Sequence, residues 1–225
     1  MIKTKIDWCD YTINPIKGLC QGGCWYCYAR RMYKRFKWPQ EVTYRPEELD
    51  KITQIKEPSR IFICSTHDLF GEWIPDKWIF NIITKLQNYP QHTFLLLTKN
   101  PKRYLDFTFR DNFWLGETIT DNSRTSIMKR EKGINFISFE PLLGEIYQSL
   151  KYQSWIIIGA LTGKDSKQFQ PKIEWIDKIL LEAAFFNIPV FMKNNLEYVY
   201  KQNYKHYRLR QEIPVIRPGL LRAKL

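Results

Sequence analysis

Ile61-Phe62-Ile63-Cys64-Ser65-Thr66-His67-Asp68 is the stretch on which the fold class turns. Its first half is apolar and rich in β-branched and aromatic residues; its second half is polar. A short apolar run that stops on polar residues is the pattern of a strand covered on both faces in a parallel sheet. The same pattern recurs at 93–98, ahead of Lys99-Asn100-Pro101, and at 113–118, which closes on Glu117-Thr118. It returns at 134–138, ahead of Phe139-Glu140-Pro141, at 154–159, ahead of Ala160-Leu161-Thr162-Gly163, and at 189–193. Helical periodicity lies between these runs at 76–88, just after Pro101, at 123–131 and at 172–187, where Ile173, Ile176, Ile179, Leu180 and Ala183 share one side. Residues 5–15 read as a short irregular or weakly extended lead-in that stops at Pro15. Strand and helix alternating over short connections predict an α/β fold of βα units on a parallel sheet, curling into a partial barrel.

A chain of 225 residues with 44% hydrophobic content can bury a substantial core. We expect one domain over 1–195 and a basic C-terminal extension over 196–225. No apolar run approaches the ~18 residues of a membrane span, and residues 1–7 lack the apolar core of a signal peptide. The expectation is a cytoplasmic protein without a membrane partner. Five cysteines, an odd number with three of them clustered, argue against a disulfide framework. The formal net charge of +12, from 35 Lys and Arg against 23 Asp and Glu, favours polyanionic partners, nucleic acid first.

The clustered cysteines stand in Cys20-Gln21-Gly22-Gly23-Cys24-Trp25-Tyr26-Cys27, a CxxxCxxC spacing. Three thiolates this close converge on one centre if the loop wraps around it, and Gly22 and Gly23 allow the bend. Zinc would want a fourth ligand, for which Cys9 and His67 are distant candidates. A cubic iron–sulfur cluster held by three thiolates keeps one iron open to a small molecule. The segment 28–37 that follows is helical, with Ala29, Met32, Tyr33 and Phe36 at helical spacing. Its other positions carry Arg30, Arg31, Lys34, Arg35 and Lys37, with no acid before Glu41. Such a charge run is ordinarily a solvated helix face.

CxxxCxxC with an aromatic, Tyr26, before the last cysteine resembles the cluster motif of the radical S-adenosylmethionine (radical SAM) superfamily. The likeness runs through 12–28, 44–49, 61–70, 91–99, 114–122, 136–144 and 155–163. It is similar to a phage-associated branch of three-cysteine-motif proteins with spore photoproduct lyase-like relatives. The resemblance implies a (β/α)6-type partial barrel. It implies that Cys20, Cys24 and Cys27 hold a 4Fe-4S cluster whose open iron takes the amine and carboxylate of S-adenosylmethionine. One electron from an external flavodoxin- or ferredoxin-type donor then releases a 5′-deoxyadenosyl radical that abstracts hydrogen from a substrate.

In parallel α/β folds ligands sit at the carboxyl ends of the strands, so the polar residues closing each run are the site candidates. By resemblance Tyr26 packs near the adenine, and Ser65, Thr66 and Asp68 receive the methionine amine. The superfamily often carries Gly-Gly-Glu there; this chain does not. Glu117 and Ser138 fall where ribose and carboxylate contacts fall. Gly159 allows close backbone approach to a ligand. Glu140 is a candidate for orienting substrate or accepting a proton, and Lys99 for neutralising a carboxylate or phosphate. Cys64 closes a buried run; it is either a core residue or a thiol that returns a hydrogen atom to a product radical.

The extension carries Lys201, Lys205, Arg208, Arg210, Arg217, Arg222 and Lys224 against Glu212, with Tyr198, Tyr200, Tyr204 and Tyr207 interleaved. Cations for phosphates and aromatics for bases describe a single-strand surface, for DNA or RNA. The leading expectation is a radical SAM enzyme that repairs or modifies nucleic acid, with a separate partner protein as a further requirement left open. Two others stand beside it: a radical SAM enzyme acting on a peptide or small metabolite, and a non-catalytic iron–sulfur or zinc protein that binds nucleic acid.

Overall fold

The computed structural model describes residues 3–128, 133–163 and 165–215. It is an α/β fold with a seven-stranded sheet in the order β1-β4-β5-β6-β7-β8-β9. These strands are β1 (Tyr11–Ile13), β4 (Arg60–Ile63), β5 (Thr93–Thr98), β6 (Phe113–Thr118), β7 (Asn135–Phe139), β8 (Trp155–Ile158) and β9 (Val190–Met192). Two further strands, β2 (Ile16–Lys17) and β3 (Thr43–Tyr44), form an antiparallel ribbon. The helices are α1 (Tyr28–Phe36), α2 (Asp76–Gln87), α3 (Ile173–Phe185) and α4 (Glu197–Asn203). The chain divides into two compact units, Met1–Leu115 and Gly116–Leu225.

In the first unit β1 pairs in parallel with β4, and β4 with β5. The residues expected to be a short irregular or weakly extended lead-in include a sheet strand. Its register is held by Asp10, whose carboxylate accepts from the backbone N–H of Arg60 at 2.8 Å and from its guanidinium at 3.2 Å. Helix α2 buries Ile79, Ile82, Ile83 and Leu86, the i, i+3, i+4, i+7 set of one face. A 3-10 helix, Pro46–Gln54, precedes β4 and buries Leu49 and Ile52. A second, Pro101–Asp106, follows β5 where a short helix is expected.

In the second unit β7, β8 and β9 pair in parallel, Phe136 opposite Trp155 and Ile156 opposite Val190. Their side chains alternate between two faces. Ile137, Phe139, Ile156, Ile158, Val190 and Met192 pack with Ile176, Ile179 and Ala183 of α3. The opposite face carries Phe136, Trp155 and Phe191, ring to ring at 5.5 and 6.3 Å. No helix forms over 123–128; residues 129–131 of the expected helix lie outside the described residues. The reason is local competition: the Asp121 carboxylate accepts from the Ser123 N–H at 2.8 Å, and Ser126 Oγ accepts from the Met128 N–H at 3.2 Å.

The extension packs on this second unit. Val199 and Tyr200 of α4 are buried in the α3 core, and Tyr207 and Leu209 pack against it. Gln211 bridges antiparallel to Phe191. Gly116 in β6 lies under the Phe136 ring, which an added Cβ would meet at 2.3 Å. Gly116→Ala should therefore destabilise the protein by about 1–3 kcal/mol through overpacking. In a urea titration, adding Phe136→Leu to that variant should recover part of the lost midpoint.

Candidate functional site

The cysteine loop and α1 leave and rejoin the first unit between β2 and β3, whose pairing ties the base of this excursion. At its start Gly18 has φ +98°, and an added Cβ would stand 2.1 Å from the Glu41 carbonyl oxygen, so only glycine fits. Its N–H donates to the Tyr33 hydroxyl of α1 at 2.8 Å. Its carbonyl oxygen lies 3.2 Å from His67 Nδ1. The Trp73 indole N–H donates to His67 Nε2 at 2.8 Å, which makes Nδ1 the protonated nitrogen and Gly18 its acceptor. Burial holds the His67 pKa below its usual value, keeping the ring neutral. Both nitrogens of His67 are thus committed, and its place is structural rather than that of a zinc ligand.

All five cysteines are free thiols. Cys20, Cys24 and Cys27 are partly exposed, whereas Cys9 and Cys64 are buried. Cys27 caps α1, its Sγ accepting from the Arg30 N–H at 3.5 Å. The Arg30 guanidinium reaches back to the Cys20 carbonyl at 2.9 Å, and that of Arg31 to the Tyr26 carbonyl at 3.2 Å. Burial raises the pKa of the Cys20 thiol; the Asp68 carboxylate and the Cys27 thiol add to the rise, against backbone hydrogen bonds at Gly22 and Asp68. The cysteine loop therefore abuts the loop that leaves β4.

That loop begins at Cys64, a non-glycine residue at φ +61°. Burial pushes its thiol up to about 12, so the candidate hydrogen donor is an enclosed, protonated thiol. Ser65 Oγ donates to the Asn14 side-chain carbonyl at 3.1 Å, and the same oxygen accepts from the Thr66 N–H at 3.4 Å. Asp68 Oδ1 accepts from the Thr98 hydroxyl at 2.6 Å and the Phe70 N–H at 3.1 Å, and Oδ2 from the Lys99 N–H at 2.9 Å. Asp68 thereby joins the ends of β4 and β5. The Lys99 ammonium lies 5.7 Å above the Tyr26 ring. Cys20, Tyr26, Asp68, Thr98 and Lys99 are thus brought together, as the strand-end rule predicts for this unit.

Among the described residues, no three His, Cys, Asp or Glu side chains are gathered as they are around a bound metal ion. The donor set nonetheless suits an iron–sulfur cluster in kind and number: three free, partly exposed, soft thiols on one loop. A Cβ at Gly22 would meet only ordinary contacts at 3.5 Å, whereas Gly23, at φ +68°, holds the left-handed backbone that glycine favours and lets the loop turn.

The second unit separates its candidates. Gly116 shares the face of Phe136, so Ser138 lies on that face and Glu117 on the other, with Ile119 and Ile137. Ser138 Oγ is buried and has no hydrogen-bond partner among the described residues. Glu117 is 3% exposed and accepts the Ser126 hydroxyl, which also accepts from Gln153 Nε2 at 3.2 Å. Burial raises its pKa from 4.5 to about 7, against hydrogen bonds at Ile127 and Met128 and the charge of Arg124. Glu140 pairs with Lys193 across Gly159, where an added Cβ would stand 3.0 Å from both side chains. What approaches Gly159 closely is this ion pair. Asn195 clamps the neighbouring Ala160, accepting its N–H at 3.0 Å and donating to its carbonyl at 2.8 Å.

Residues 3–213 match the family described as "Protein of unknown function (DUF5131)". The chain belongs to that family. No curated protein and no solved structure matches it. The match takes in the cysteine loop, every strand of the sheet and most of the extension.

Asn14, Gly18, Trp73 and Asn195 escaped the sequence reading. Asn14 closes β1, a segment legible in sequence only as irregular or weakly extended and so not treated as a strand end; nothing local marks the others. Expected outcomes follow from the environments of Gly18, Gly22 and Glu117. Gly18→Ala should cost more than about 2 kcal/mol in urea unfolding, while Gly22→Ala should cost less than about 1 kcal/mol. For Glu117, the raised folded-state pKa means that the unfolded chain ionises first, so stability falls as pH rises from 4.5 to about 7. Glu117→Gln should remove that fall, read as thermal midpoints of the two proteins across the window.

Proposed function

We propose that this protein is a radical SAM enzyme acting on nucleic acid. The observation that carries the proposal is the placement of three free thiols on one loop beside the carboxyl ends of β4 and β5, where Asp68, Thr98 and Lys99 converge. Cys20, Cys24 and Cys27 would hold a 4Fe-4S cluster. When bound and reduced by an external flavodoxin- or ferredoxin-type donor, that cluster supplies reductive cleavage of S-adenosylmethionine and, through it, hydrogen abstraction from the substrate. The βα order is in keeping with a (β/α)6-type partial barrel.

The residues of the chain have assignable work in this scheme. Asp68 presents a carboxylate whose position is set by three donors, suited to an ammonium group. Lys99, oriented over Tyr26, offers a cation to a carboxylate or phosphate. The Tyr26 ring offers an apolar face for a purine. The formal charge of +12 favours a polyanionic substrate.

The test is anaerobic reconstitution with iron and sulfide, addition of S-adenosylmethionine and dithionite, and mass spectrometry of 5′-deoxyadenosine with and without DNA or RNA. Wild type should form it, more so with nucleic acid, and Cys24→Ala should lose both the cluster absorbance and the product. Absence of cluster absorbance and product in wild type overturns the enzyme. Product that responds instead to a peptide or small metabolite overturns the substrate class.

A further inference from the structure

The sequence placed the single-strand surface on the extension. There, Tyr200 and Tyr207 pack into the α3 core, the Tyr204 hydroxyl donates to Asp177 at 2.7 Å, Lys201 pairs with Glu197 and Arg210 with Glu212. Arg217, Arg222 and Lys224 lie outside the described residues. Tyr200, Tyr204 and Tyr207 are thus engaged in packing or hydrogen bonding and Lys201 and Arg210 in ion pairs within the extension, while Tyr198, Lys205 and Arg208 stay exposed.

Around α1 the exposed groups dominate. Of its residues only Ala29 and Tyr33, i and i+4 on one side, are buried. Trp25 is 56%, Tyr28 46%, Phe36 50% and Trp38 40% exposed, a concentration of bare aromatic surface within fourteen residues. Phe36 and Trp38 stack at 5.3 Å and 24°, and the Arg35 guanidinium lies 5.3 Å over Phe36. Lys34, Arg35 and Lys37 are exposed and enter no ion pair among the described residues. Arg30 with Lys34, and Arg31 with Arg35, are like-charge pairs at i, i+4, and α1 has no acid in its first turn. Each of these arrangements is unfavourable, and a polyanion laid along the helix reverses their sign.

We infer that Phe36 and Trp38, with Lys34, Arg35 and Lys37, form a docking surface for single-stranded nucleic acid that leads toward the cysteine loop. Cations take the phosphates; the stacked rings offer a platform for unpaired bases. A bilayer is the poorer occupant: Ala29 and Tyr33 of α1 are turned into the fold, and the exposed rings flank the helix ends with cations between them. The inference deepens the reading above by placing its substrate, but the binding needs neither cluster nor S-adenosylmethionine.

The test uses the full-length protein as purified. Fluorescence anisotropy with a labelled oligodeoxythymidine strand of ~20 nucleotides is read over a salt series, with an equal-length duplex and phosphatidylserine-containing vesicles as comparisons. Wild type should prefer the single strand. Lys34→Ala/Arg35→Ala/Lys37→Ala should lower the salt slope by ~0.7 for each phosphate left without its cation. Phe36→Ala/Trp38→Ala should weaken binding on the order of tenfold at unchanged slope. Lys201→Ala/Lys205→Ala in the extension should change neither. All these side chains are exposed, so unchanged circular dichroism and thermal midpoint certify the fold. Unchanged affinity in both α1 variants, or loss of binding in the extension variant instead, overturns the assignment. So does tighter binding to vesicles that the α1 substitutions abolish. Loss of cluster chemistry with intact strand binding overturns only the enzyme, and the converse only the docking surface.

Discussion

Gly18 is held from three sides, and the cysteine loop depends on it. Its N–H is satisfied by Tyr33, its carbonyl by His67, and the Glu41 backbone leaves no room for a side chain. Both polar atoms are buried, so removing either partner leaves an unpaired group that water cannot reach. One residue thereby ties the start of the loop to the helix that follows it and to the loop leaving β4. Trp73 completes the arrangement, fixing the tautomer of His67 and lying beneath Gly22.

Three acids close apolar runs and look alike in sequence; the structure gives each a different electrostatic solution. Asp68 is met by an O–H and two N–H donors, an arrangement that fixes the carboxylate in place and joins two strand ends. Glu140 is met by a full positive charge, Lys193, over a glycine that makes room for the pair. Glu117 is turned to the other side of the sheet, where burial outweighs its hydrogen bonds and the proton is retained to higher pH. The first shares its surroundings with Cys20.

The distribution of charge follows the same division between side chains that hold the fold and side chains left over. A cation paired within the fold contributes little to attracting a polyanion, because its field is already neutralised at short range. That describes Lys201 and Arg210. The cations along α1 face no acid on their own helix, and the rings beside them are bare.

Periodicity made much of the fold legible. The apolar runs at β4 through β9 and the helices α2 and α3 declare themselves because burial on two faces or on one stripe leaves a local imprint on consecutive residues. The CxxxCxxC spacing is equally local. β1 showed only as an irregular or weakly extended segment because three residues carry too little pattern, and its partner β4 lies some fifty positions away. No helix forms over 123–128, the described part of the helix expected over 123–131, because Asp121 and Ser126 spend their side chains on nearby backbone N–H groups. The sequence by itself determined the α/β class, the strand ends and the three thiols on a bendable loop. Only the tertiary structure decided which strand-end residues meet, which side of the sheet each acid faces and which cations remain unspent, because those depend on register and on partners brought together from distant parts of the chain.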